Sequence, residues 1–205
     1  WMDALEPGEV TPDGKETRPI IYNVGNLSRP TADAPALMTI DNVETMFHEF
    51  GHGLHGMLTR ATIPSQMGTS VDRDFVEMPS QIHEHWAFEP ELLKEYARHY
   101  KTGEVIPDSL VTKLKAASHH NQGFIMTELV GAALLDLYWG ELIPDENTDI
   151  KAFESKVAAE IGMPAELTFR YRSPYFKHIF GDEGYASGYY TYLWAAVLEC
   201  DGYDL

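Results

Sequence analysis

The sequence predicts a mainly α fold with a small β element set against one helix. Long segments between Gly and Pro stops read as helices. Only two short β-branched stretches, 19–27 and 36–40, read as strands. Residues 41–58 carry apolar side chains at i, i+3, i+4 and i+7, the period of an amphipathic helix.

In order along the chain, residues 1–19 have Pro-Gly at 7–8 and Pro-Asp-Gly at 12–14 and read as loop or hairpin turns. The two strands follow, joined through Pro30 to Pro35. Asp41 is placed to cap the next helix, with Glu44 completing a capping box. Its stripe of Val43, Met46, Phe47, Phe50, Leu54, Met57 and Leu58 is expected to be the buried face. Residues 60–72 lack a period and read as loop, and 75–100 as a helix ending before Gly103. Asp108 can cap a helix that runs to Leu142, where Pro144 stops it; Gly123 and Gly131 mark a bend or a break. Further helices are expected at 150–161, closed by Gly162 and Pro164, at 173–180 and at 185–199. No repeat, low-complexity tract or linker interrupts residues 1–205, which read as one domain.

Composition excludes several classes. With 32 acids against 15 bases the net charge is −17, the opposite of a nucleic-acid footprint. It reads as a generally acidic surface, or as favouring cationic peptides. No apolar run is long enough for a transmembrane helix. The single Cys200 rules out an intramolecular disulfide.

The chemistry is concentrated in Phe47-His48-Glu49-Phe50-Gly51-His52. His-Glu-x-x-His on a helix puts His48 and His52 on one face, where both can bind one Zn²⁺, with Glu49 beside them as general base. Single histidines on helices are usually ordinary core or surface residues. The complete pattern on a capped helix, facing away from the apolar stripe, points to metal. Catalytic zinc usually takes three protein ligands. A longer histidine pattern would need His at position 58, where Leu58 stands. Glu77 and Glu84 are the acids open for the third place. Tyr185, Tyr189 and Tyr192 fall at i, i+4 and i+7, a spacing more common in core packing than in catalysis.

Three blocks in this order carry a resemblance: 47–55, then Asp74-Phe75-Val76-Glu77 with Pro79-Ser80-Gln81, then 171–180 with Gly184-Tyr185-Ala186-Ser187-Gly188-Tyr189. Together they resemble the thimet-oligopeptidase and bacterial peptidyl-dipeptidase family of zinc metallopeptidases, nearest to the peptidyl-dipeptidase branch. The resemblance implies a helical metallopeptidase catalytic core with one Zn²⁺ per chain on His48, His52 and Glu77. It implies His178, Tyr189 and Tyr192 as further catalytic groups beside Glu49, and Tyr185 on the substrate. A peptidase of that branch must grip a free C-terminal carboxylate, for which Arg170, Arg172 and Lys177 are the nearby basic candidates. Glu84 is the candidate acid behind a ligating histidine, with Glu44 the alternative and a solvated helix face the plain reading of both. His55, His83, His85, His119 and His120 are left as structural.

One departure stands out. Ile179-Phe180-Gly181-Asp182-Glu183-Gly184 replaces a shorter, nearly all-glycine turn, and Asp182 and Glu183 either bulge outward or displace His178. Family members are several times longer. The chain is therefore expected to be a catalytic-core piece, with a helical region before it and a tail after it as partners. Alone it is expected to self-associate. The expected substrates are short peptides, cut to release C-terminal dipeptides or cut internally, in the cytoplasm or the periplasm. A metal-stabilised binding module without turnover is the rival of another class, and the presence of Glu49 argues against it.

Overall fold

The computed structural model describes residues 1–11 and 13–204. They form two compact units, Trp1–Lys115 with Ala195–Leu205, and Ala116–Trp194.

The first unit opens with a two-stranded antiparallel sheet, β1 (Met2–Glu6) and β2 (Ile20–Asn23), in the register Met2 to Asn23 with an irregularity between Ala4 and Glu6. Residues 2–6 were expected to be loop. They pair instead because a strand at 20–23 must satisfy its backbone groups, and the Met-Asp-Ala-Leu-Glu run supplies the partner. A turn does form at Asp13 and Gly14, where Gly14 takes φ +79 and its N–H bonds to Thr11 O at 2.8 Å. Pro12 of the Pro-Asp-Gly expectation lies outside the described residues. The strand expected at 36–40 is absent: residues 36–39 have no regular structure, and helix α1 (Ile40–Leu58) begins at its end.

Asp41 and Glu44 do not cap this helix. Thr39 does: its Oγ1 accepts from Asn42 N at 3.2 Å and its own N–H reaches Asn42 Oδ1. The helix starts earlier than expected, which leaves Asp41 in the first turn, where its charge complements the helix dipole.

The buried face of α1 is also not the expected one. Met57 is 41% exposed, Phe50 46%, Met46 51% and Leu58 71%. The buried residues are Gly51, His52, Gly53 and Gly56. Small residues decide this, because they let neighbouring backbone come close. A Cβ on Gly51 would stand 2.7 Å from Pro79 O and Ser80 Cα, and one on Gly56 would stand 2.9 Å from Ile21 Cδ1. So α1 is gripped on its glycine faces by the sheet and by a following helix.

The helix expected over 75–100 is three: α2 (Arg73–Val76), α3 (Met78–Ala87) and α4 (Pro90–Tyr96). Pro79 and Pro90 each sit in a first turn, where the missing N–H costs nothing. Glu77 occupies the junction between α2 and α3. Helix α5 (Asp108–Ala117) and helix α6 (Gln122–Glu141) replace the single helix expected from 108 to 142. The break comes at Asn121, whose φ is 58, just before Gly123. Gly131 lies inside unbroken α6, where a Cβ would meet Met163 Cε at 2.6 Å.

In the second unit, α6 packs on α7 (Ile150–Glu160), which Asp149 caps by accepting from Ala152 N. The core has two clusters, Ala132, Ala133, Phe176, Ile179 and Tyr189, and Leu135, Val157 and Phe169. The helix expected at 173–180 is a 3₁₀ turn, Ser173–Tyr175, followed by the short α8 (Lys177–Phe180). The last helix, α9 (Thr191–Tyr203), begins six residues later than the expected Tyr185. No described helix is long and apolar enough to cross a membrane.

Candidate metal centre

Two histidines four residues apart on α1 present their rings edge to face, with centroids 4.9 Å apart. Glu77 enters between them from the α2–α3 junction. Its Oε2 lies 3.3 Å from His48 Nε2 and 3.2 Å from His52 Nε2. A tetrahedral ion with bonds of about 2.0–2.1 Å holds its ligand atoms about 3.3 Å apart. The two measured separations fit two edges of such a tetrahedron, so the donor set and its spacing suit zinc. Glu77 is 1% exposed, and a carboxylate buried that deeply must be paired.

The surroundings hold these groups in place. Ser80 Oγ donates to Glu77 O at 2.8 Å and to Glu77 Oε2 at 3.0 Å. Glu84, two turns along α3 from Glu77, accepts from His48 Nδ1 at 2.5 Å. That bond turns Nε2 toward Glu77. His52 Nδ1 is buried with no hydrogen-bond partner among the described residues, so only one of the two histidines is oriented by an acid. Burial, then the charge of nearby Glu84, raises the pKa of Glu44. His83 Nδ1 donates to Phe47 O at 2.7 Å and ties α3 to α1. His55 stays outside the group; burial and the nearby His52 lower its pKa.

Without metal, the three groups carry a proton that a metal would replace. Burial works against a charged His48, but its bonds to Glu77 and Glu84 outweigh burial and raise its pKa to about 10. Burial likewise disfavours an ionised Glu77, and its bonds to His48 and His52 win, holding its pKa far below the usual carboxylate range. A metal held on His48 would have to displace that proton.

Glu49 stands beside this group rather than in it, with its side chain 20% exposed and Oε1 3.4 Å from Trp1 N. Its main-chain carbonyl accepts from Asn23 Nδ2 at 2.9 Å, which fastens β2 to α1 at this residue. A cavity of about 770 Å³ opens alongside, lined by Val24, Leu27, Met46, Phe50 and Leu92, with Glu49 in its wall.

The second unit gathers the other expected residues, though not on one helix: His178 is on α8, Tyr192 opens α9, and Tyr185 and Tyr189 lie between them. The His178 ring lies 5.9 Å from Tyr185, 5.5 Å from Tyr189 and 6.2 Å from Tyr192, and Tyr185 and Tyr192 stack at 5.8 Å. Residues 185–190 form turns, and Ser187 takes φ 56. The i, i+4, i+7 face is thus replaced by a fold-back. Its anchor is Asp136 of α6, whose carboxylate accepts from Ser187 N at 2.8 Å and Tyr189 N at 2.9 Å. Burial raises the Asp136 pKa, and those N–H bonds oppose the rise. Tyr189 is only 3% exposed and packs on Phe176 at 4.8 Å, which makes it part of the core. Arg172 is committed to Glu154 at 2.6 Å, and Glu154 also accepts from Ser173 N. The Arg170 guanidinium lies over the Tyr171 ring at 5.7 Å. Asp182 and Glu183 are exposed, and Asp182 accepts from Gly184 N at 2.7 Å within its own turn.

Ser80 and Asp136 had no expected role. The signal for Ser80 is its place three residues after Glu77, one helical turn on. For Asp136 it is an acid between Leu135 and Leu137 in an apolar helix.

The whole-chain comparison fits this centre. A sequence model described as Peptidase family M3 matches residues 1–205. The chain belongs to peptidase family M3. It is 50% identical over 192 residues to the dipeptidyl carboxypeptidase of Escherichia coli (strain K12), covering 92% of this chain and 28% of that protein. It is 40% identical over 209 residues to oligopeptidase A of the same organism, covering 100% and 30%. A thimet-like oligopeptidase of Dictyostelium discoideum is 31% identical over 203 residues, covering 98% and 30%. The chain thus spans under a third of the length of these curated relatives, and the M3 match covers the kinship expected from the three sequence blocks.

Proposed function

We propose that this chain carries the catalytic centre of a zinc-dependent peptidase that releases dipeptides from the C-termini of short peptides. The convergence of His48, His52 and Glu77 beside Glu49 carries the reading. His48, His52 and Glu77 hold the ion, with Glu84 and Ser80 orienting them. Bound there, zinc supplies Lewis acidity and makes water a better nucleophile. Glu49 takes the proton from the attacking water and returns it to the leaving amine. His178, Tyr185 and Tyr192 are assigned as hydrogen-bond donors to the substrate and its oxyanion. Tyr189 backs them from the core. Arg170 is preferred to Arg172 for the substrate carboxylate, because Arg172 is already paired with Glu154.

The alternative of internal cleavage is favoured by one observation, the identity to oligopeptidase A across the whole chain. The exposed apolar side of α1, with Met46, Phe50 and Leu58, is the surface we assign to further polypeptide of the same enzyme, and to self-association when the chain is alone. The cytoplasm is the compartment of this reading.

The test is metal analysis with mass spectrometry of products from one short peptide carrying a free or an amidated C-terminus. One zinc and a dipeptide from the free form only is the expected result. Internal fragments from both forms would favour the oligopeptidase reading. Bound zinc without cleavage would favour a binding module.

A further inference from the structure

The C-terminal half of α9 meets α3 through a second set of ligand-type side chains. His85 follows Glu84 by one residue, so it leaves α3 about 100° around from the carboxylate that orients His48. Its Nε2 bonds to Glu199 Oε2, and Cys200 Sγ donates to Glu199 Oε1 at 3.2 Å. One ligand atom from each of His85, Glu199 and Cys200 lies within 4.8 Å of the others, and none of the three belongs to the first centre. Tyr203 stacks on the His85 ring at 4.2 Å and donates its hydroxyl to Glu89 at 3.0 Å, so the imidazole is held in orientation. Glu199 is 8% exposed while Cys200 is open to solvent, which gives an ion a route in and a place for water as fourth ligand.

We infer that His85, Glu199 and Cys200 form a second divalent-metal site, selective for zinc. A thiolate beside an imidazole and a carboxylate suits a borderline-soft ion and disfavours magnesium and calcium, which take oxygen ligands. Zinc–sulfur bonds near 2.3 Å and zinc–nitrogen bonds near 2.0 Å set ligand atoms about 3.3–3.6 Å apart, within reach of side-chain rotation. The thiol proton leaves to solvent as the ion binds. Occupancy clamps α9 to α3 one residue from Glu84.

Cobalt(II) added to chelator-stripped protein tests the site. The chain has one cysteine, so a thiolate-to-cobalt charge-transfer band reports Cys200 alone. Two equivalents and such a band are expected. Cys200→Ser and Glu199→Gln should each lose the band and one equivalent while keeping the other. His48→Ala with His52→Ala should lose an equivalent and keep the band, which separates this site from the proposed catalytic one. A single equivalent without a band at saturating cobalt overturns the inference. So does a band that survives both His85→Ala and Glu199→Gln, or one that appears only as dimers form, since either reduces the site to an exposed thiol.

Discussion

The α1–α3 centre and the tyrosine turn of the second unit both bring distant side chains together, but by opposite means. In the first, regular helices do the placing: the spacing of His48 and His52 is the helical repeat itself, and Glu77 and Ser80 follow from where α3 starts. In the second, the same kind of spacing misleads. Tyr185, Tyr189 and Tyr192 look like one helix face, yet a buried carboxylate from another helix offers the backbone at 187 and 189 a better partner than a helical carbonyl. Periodicity is thus a reliable guide where the backbone's hydrogen bonds are local, and a poor one where a distant acid competes for them.

The sharpest separation of the two regions comes from the metal centre. Glu49→Gln should keep zinc and lower turnover by about 10²–10⁴-fold, because only the proton acceptor is removed. Glu77→Ala should lose zinc as well as turnover. Metal content beside the rate on a short peptide checks both, and near-normal turnover in Glu49→Gln would show that another group is the base.

In the second unit the anchor is the weak point. Asp136→Ala removes the acceptor of the Ser187 and Tyr189 N–H groups, at about 1–3 kcal/mol for the buried Tyr189 N–H and less for the part-buried Ser187 N–H. Denaturant unfolding should show that loss, while zinc content should stay at the wild-type level. A loss of zinc in this variant would mean that Asp136 acts on the metal centre as well as on the turn.

Close backbone approach gives the next effect in size. Gly51→Ala sets a methyl 2.7 Å from Pro79 O and Ser80 Cα, main-chain positions that no rotamer change relieves. Overpacking of that kind costs about 1–3 kcal/mol. Because the displaced residues lie two and three positions after Glu77, and Ser80 bonds to its carboxylate, zinc affinity should fall with stability. Unchanged affinity in a destabilised protein would show that Glu77 is placed independently of the α1–α3 spacing.

These cases show what the sequence made legible. The mainly α class was readable because Gly and Pro bound most of the helices. His48 and His52 were readable because the His-Glu-x-x-His spacing is the helical repeat, whereas Glu77 was singled out from Glu84 only by the family resemblance. The buried face of α1 was not. Hydrophobicity pointed to Met46, Phe50 and Leu58, whereas the packing is decided by how close backbones come at Gly51 and Gly56. Strand β1 was missed because its reason to exist is β2, a pairing partner rather than a local propensity. Thr39 displaced Asp41 as cap by a shift of helix start that composition does not encode.

The smallest of these effects concerns Glu84, and it works through protonation as well as orientation. Glu84→Gln keeps the size of the side chain but weakens the bond to His48 Nδ1, and loss of such a partner typically lowers metal affinity about 10–100-fold. A second readout needs no metal. In the metal-free protein the His48 pKa is raised from 6.5 to about 10, in part by Glu84. A raised folded-state pKa means the folded state holds the proton more tightly than the unfolded one. Its stabilisation is then complete below about pH 6.5 and is lost as pH rises toward 10. Glu77 sets the opposite limit: its lowered pKa contributes stability above its ordinary value of 4.5, lost on acidification. The melting temperature of the metal-free chain should therefore fall between pH 6.5 and 10, and in Glu84→Gln the fall should begin at the same pH but be smaller and end at lower pH. Identical profiles would show that Glu84 does not help hold the His48 proton, and would leave Glu77 as its sole partner.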